Sequence, residues 1–98
     1  MNGRMSQGWR VEIPVGRHSD RIVYHEYYRG LSFRRIVTVD GSLVIFFGTP
    51  SRWAKYYPWA ALRRDEILTR IAQTLIAPGW VADIRDDGSY MLVRKQSP

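Results

Sequence analysis

The chain has 98 residues, 45% of them hydrophobic and 24% charged, with no cysteine and a net charge of +6. That size and usage fit one packed domain, and they exclude a disordered chain, a disulfide scaffold, cysteine-based metal sites and thiol chemistry. No apolar run is long enough to span a membrane, and the polar segment Met1–Gln7 lacks the apolar stretch of a secretory signal, so a cytoplasmic protein with no membrane association is expected.

Trp9-Arg10-Val11-Glu12-Ile13 alternates apolar and polar residues and stops at Pro14 and Gly16, the pattern of a short edge strand. Residues Arg21 to Tyr28 have high strand propensity through Ile22, Val23, Tyr24, Tyr27 and Tyr28, and Arg29-Gly30 is read as the tight turn that ends them. The next run puts Leu31, Phe33, Arg35, Val37 and Val39 on one face and Ser32, Arg34, Ile36 and Thr38 on the other. Asp40-Gly41 then marks a hairpin, with Leu43 to Phe47 as the returning strand. The breakers Gly48-Thr49-Pro50-Ser51 precede Arg52 to Trp59, which follows neither period and is read as an ordered loop with room for one helical turn. From about Arg64, Ile67, Leu68, Ile71, Ala72 and Leu75 recur at helical spacing, Asp65 and Glu66 complement the dipole at its start, and Pro78-Gly79 ends it. Leu62 falls off that stripe. Two last strands, Trp80 to Arg85 and Ser89 to Arg94, flank the hairpin signal Asp86-Asp87-Gly88, and the tail frays from Lys95. The expectation is an α+β fold: an antiparallel sheet of five to six strands in the order ββββαββ, one amphipathic helix on one face, and a single domain over residues 1–98 with its ordered core at 9–94.

The search for chemistry returns little. His18-Ser19-Asp20 holds the residue types of a hydrolase triad, but three consecutive residues cannot reach triad geometry. His25 and Glu26 are neighbours on a strand and point to opposite faces. Two His residues seven apart and no Cys make no recognisable metal-ligand set. The spacing of Asp83, Asp86 and Asp87 fails the calcium loop and fits a hairpin tip. No glycine motif for phosphates is present. A non-catalytic protein without cofactor or metal is expected.

The charge is uneven. Residues 1–64 hold eleven Lys and Arg against four acids, residues 65–98 four against five, and thirteen of the fifteen cations are Arg, whose planar fork suits carboxylates and phosphates. Arg52-Trp53-Ala54-Lys55-Tyr56-Tyr57-Pro58-Trp59 with Arg63-Arg64 interleaves four aromatics with four cations. Either these residues form a partner surface, through base stacking and phosphate contacts or as hot spots of a protein interface, or Trp53 and Trp59 fold back over the helix and sheet edge. Arg52, Trp53, Tyr56, Tyr57 and Trp59 are therefore the candidate partner-binding residues. Arg34 and Arg35 point to opposite faces of a strand, so one of them approaches the helix-covered side and needs a partner, for which Glu26 on the neighbouring strand is the candidate.

Ile22-x-Tyr24-x-Glu26-x-x-Arg29-x-Leu31, a later Trp before a Pro, and Ile67-Leu68-x-Arg70-Ile71-x-x-x-Leu75 before Gly79 resemble the small immunity proteins of bacterial toxin systems, including contact-dependent growth inhibition, over about residues 22–79. The resemblance implies a cytoplasmic protein that binds a cognate toxin domain, often a nuclease, and blocks it without catalytic residues of its own. Such toxins are commonly basic and their inhibitors acidic, whereas this chain is basic, which implies an acidic toxin surface or a contact through the acidic last third. The alternative is a domain that binds single-stranded RNA or DNA with Arg34 or Arg35, Arg52, Trp53, Lys55, Tyr56 and Tyr57.

Overall fold

The structure, a computed structural model, describes residues 8–13, 21–76 and 79–95. Pro14, Gly16, the His18-Ser19-Asp20 run and Pro78 lie outside them. The elements are β1 (Trp9–Glu12), β2 (Arg21–Glu26), β3 (Arg29–Val37), β4 (Leu43–Gly48), α1 (Pro50–Tyr56), a 3₁₀ turn (Ala61–Arg63), α2 (Arg64–Leu75), β5 (Val81–Ile84) and β6 (Tyr90–Arg94). All neighbouring strands pair antiparallel in the order β1-β2-β3-β4-β6-β5, giving a six-stranded curled sheet with the helices packed on it, an α+β fold.

The apolar stripe expected on α2 is the one buried. Ile67, Leu68, Ile71 and Leu75 are closed off from solvent against Ile22, Tyr24, Leu31, Phe33, Ile45, Phe47 and Leu92 of the sheet, while Leu62 stands in water. Each such aliphatic side chain contributes about 1.5–3 kcal/mol on burial. Past the end of α2, Gly79 takes φ 95 and the Trp80 N–H donates to the Leu75 carbonyl at 3.2 Å, which turns the chain so that Trp80 is buried. No helix among the described residues is long and apolar enough to cross a membrane.

Both glycine hairpins form. In each, a three-residue loop carries its positive φ on one residue, Gly41 at 87° and Gly88 at 87°. The loops close through Gly41 N–H to Thr38 O and Gly88 N–H to Arg85 O. The Asp side chains serve the backbone instead, Asp40 accepting from the Ser42 N–H at 3.0 Å and Asp87 from the Ser89 N–H at 2.9 Å.

Two local expectations are corrected. The β2–β3 turn is Tyr27-Tyr28, and Arg29-Gly30 belong to β3. Register decides this: the observed turn sets Ile22 against Phe33 and Tyr24 against Leu31, whereas a turn at Arg29-Gly30 would set them against Val37 and Arg35. The core gained outweighs the strain of Tyr27, the one non-glycine with positive φ among the described residues at 54°. The second correction is α1. Thr49-Pro50 is a helix start: the Thr49 side chain accepts from the Arg52 N–H at 3.2 Å, and Pro50 fills the first helical position, where its missing donor costs nothing.

Candidate binding site

The sheet is split on one line. The β3–β4 ladder runs from Val37↔Leu43 to Arg35↔Ile45 and stops. Beyond that point, Arg29 to Arg34 pair with β2, while β4 stays with β6. The cause lies in β4, where two residues, Phe46 to Gly48, are taken up against one step of β6, Met91 to Tyr90. An extra residue of this kind bends its strand and raises its twist, and Gly48 at φ 85 accepts the bend. The two strands therefore diverge into a fork.

The fork holds a cavity of about 320 Å³. Arg21, Ser32, Phe33 and Arg34 line one prong, and Phe46, Phe47, Gly48, Arg52 and Tyr57 line the other. Three arginines line this space, and its described lining contains no Asp or Glu. Arg21 is aimed by Ser32, to whose Oγ its Nε donates at 2.5 Å and to whose carbonyl its Nη2 donates at 3.2 Å. Arg34 is exposed and sits directly opposite Arg21 in the β2–β3 register. Like charges so placed weaken a sheet, a local conflict of the kind found where a surface is shaped for a ligand. The Arg52 stem lies over Gly48, where a Cβ would come within 2.9 Å of its Cδ, and its guanidinium covers the Tyr56 ring at 4.9 Å. Three planar donors beside the half-exposed Phe46 ring can hold an anionic group with an apolar stem by paired charge-assisted hydrogen bonds.

Of the five residues expected to contact a partner, Arg52 and Tyr57 line the fork. Tyr56 is exposed beside it, between Arg52 and Lys55. Trp59 is half-buried against the core with the Arg29 guanidinium 5.1 Å from its ring centre. Trp53 corrects the expectation. It is completely buried, stacks on Phe33 at 5.7 Å, and its Nε1 donates to the Phe47 carbonyl at 2.6 Å, so it builds the fork's floor from inside. Ala54, Lys55 and Tyr56 carry the exposed side of α1 and Trp53 its buried side, so the aromatic run divides between core and surface. Sequence reasoning missed Arg21, Ser32 and Phe46. The Phe46-Phe47-Gly48 run ahead of Thr49-Pro50, with a glycine where a strand should continue, is the one signal that could have pointed to a bulge.

Glu26 also departs from its expected role. It pairs with neither Arg34 nor Arg35. Its carboxylate lies under the helix side, where Oε1 accepts from Tyr24 Oη at 2.6 Å, Arg63 Nη2 at 2.8 Å and Arg70 Nη1 at 3.2 Å, and Oε2 accepts from Arg63 Nη1 at 2.5 Å. Glu66 closes the network through Arg63 at 3.2 Å and Arg70 at 2.5 Å, and Arg70 packs on the Trp9 ring. The Arg63 hydrogen bonds hold the Glu26 carboxyl down at about 2 against the upward push of burial, and Glu26 in turn raises Arg63. Burial, with the Glu26 hydrogen bond, pushes the Tyr24 hydroxyl up. This is a clamp of β2 to the 3₁₀ turn and α2, in which the charged groups pair with one another.

Arg64 makes a second clamp, donating from Nη2 to the carbonyls of Gly48 and Gly88 at 2.8 Å each, with Trp53 beneath it. It fixes the far end of the β4 prong against the β5–β6 hairpin. On the opposite face of β2, His25 Nε2 lies 2.9 Å from Glu12 Oε1, a tie across β1 and β2. Among the described residues, no group of three or more His, Asp or Glu is placed to hold a metal ion. Comparison with protein-family models, with curated proteins and with solved structures finds no match for the chain.

Proposed function

We propose that this chain is a non-catalytic binding protein that neutralises a cognate bacterial toxin domain, a nuclease being the favoured class, by forming a tight complex in the cytoplasm. The observation that supports this reading is the fork: an arginine-lined opening in the middle of an otherwise continuous sheet. Arginines and aromatic rings gathered in one opening suit stoichiometric grip on a partner. The resemblance over residues 22–79 supplies the class of partner, and the basic fork suits an acidic toxin surface. The test is co-expression with the toxin domain encoded beside this gene: cells survive with the chain and die without it. Death in both cases removes the reading.

The second reading, a single-stranded RNA or DNA binder, is favoured by Tyr56, an exposed ring between Arg52 and Lys55. It is the weaker of the two, because Trp53, Tyr57 and Trp59 pack into or against the core and leave Tyr56 as the exposed ring of the run at residues 52–59. It predicts oligonucleotide binding that weakens steeply with salt, as each phosphate contact releases counterions.

A further inference from the structure

Resting on the toxin-neutralising reading, we infer that the fork is a carboxylate-binding site that seats an acidic side chain, Glu in preference to Asp, from the partner's surface. Charge selects the anion, since Arg21, Arg34 and Arg52 are among the lining residues and none of those described is an acid. Shape selects a side chain over a polymer backbone. The cavity of about 320 Å³ lies at the small end of the range for ligand pockets and is bounded on both sides by strands, so it receives one short group at a time and not a continuous phosphate track.

The apolar content of the walls selects the stem. The half-exposed Phe46 and the partly exposed Tyr57 offer rings for the methylenes of a Glu to lie against, backed by the buried Phe33 and Phe47, with its carboxylate beside the arginines. Arg21 is already oriented by Ser32, so part of the ordering entropy is removed before binding. Two neighbouring arginines opposed across β2 and β3 repel one another in the free protein, and a carboxylate between them relieves that repulsion.

The test is an NMR titration of the intact protein with a hexaglutamate peptide, a hexaaspartate peptide and a six-nucleotide oligothymidylate, reading backbone amides of residues 32–34 and 46–48 and the arginine Nε–Hε signals. Hexaglutamate should shift the signals of Arg21, Arg34 and Arg52, bind more tightly than hexaaspartate, and lose affinity by about tenfold in Arg34→Glu and again in Arg52→Glu, two exposed positions whose substitution leaves the core intact. No shift at these residues, or unchanged affinity in both variants, overturns the site. An oligothymidylate that binds the same residues more tightly than hexaglutamate overturns the carboxylate assignment in favour of phosphate. A chain that protects against the toxin and shows no fork shifts keeps the neutralising reading and loses this site. A chain that shows the shifts and fails to protect does the reverse.

Discussion

Replacing Glu26 by Gln should remove a large share of the stability of this fold, and the loss should depend on pH in a defined direction. Glu26 is 7% exposed, and its carboxyl is held at about 2 against an ordinary value of 4.5. That gap corresponds to about 3 kcal/mol favouring the ionised form in the folded state. Because the folded-state value is depressed, the contribution is complete above the unfolded-state value and fades as pH falls toward 2. Gln keeps the shape and removes the charge, leaving Arg63 and Arg70 facing a neutral amide. At pH 7 the variant should therefore be about 3 kcal/mol less stable, which for a chain this size lowers Tm by roughly 12–24 °C. The difference should shrink to about 2 kcal/mol by pH 3.5, since the wild-type carboxylate then begins to lose its advantage. Urea unfolding at pH 7, 5.5, 4.5 and 3.5 measures it. Asp40, also held at about 2, titrates in the same window, but it is present in both proteins and cancels in the comparison. A variant within 1 kcal/mol of wild type at pH 7, or a difference that does not change with pH, would refute the clamp as described.

Three other substitutions probe the parts that hold the fork open. Trp53→Ala should cost about 3–5 kcal/mol in denaturant unfolding, as expected for a buried Trp with a hydrogen-bonded indole and not for a surface anchor. Gly48→Ala meets both a positive φ and the Arg52 stem, so a loss of about 1–2 kcal/mol and displaced amide signals around Arg52 are expected by NMR. Arg64→Lys cannot satisfy the carbonyls of Gly48 and Gly88 with the same planar group. It should lower stability by about 1–3 kcal/mol and speed amide exchange at the β5–β6 hairpin tip.

The strands and α2 were legible because their signals are local: alternation in β1 and β3, strand propensity in β2, the Ile67-Leu68-Ile71-Leu75 stripe, and the two Asp-Gly loops, the first of which announces β4. The β2–β3 turn was not, since Arg29-Gly30 has better turn chemistry than Tyr27-Tyr28 and only the pairing of Ile22 with Phe33 and Tyr24 with Leu31 overrules it. The start of α1 was on the page as Thr49-Pro50 but shares its letters with an ordinary breaker cluster. For the site, the density of Arg and aromatics around residues 52–59 pointed to the correct neighbourhood and mixed two populations. Trp53 is core, whereas Arg52 and Tyr57 line the fork. What joins them to Arg21 and Arg34 is a single extra residue in β4, a property of strand pairing for which the glycine of Phe46-Phe47-Gly48 is the one local sign. The Glu26 clamp was hidden for a related reason, because its partners lie 37 and 44 residues away, across the sheet-to-helix contact.

Isothermal titration calorimetry of the purified chain against the toxin domain encoded beside it, with wild type and the Arg34→Glu/Arg52→Glu double variant in parallel, tests the central claim most directly. A one-to-one complex with Kd below about 1 μM for the wild type, weakened at least about tenfold in the double variant, is the result predicted by a neutraliser that grips its partner through the fork. Absence of a complex with the wild-type chain would contradict it.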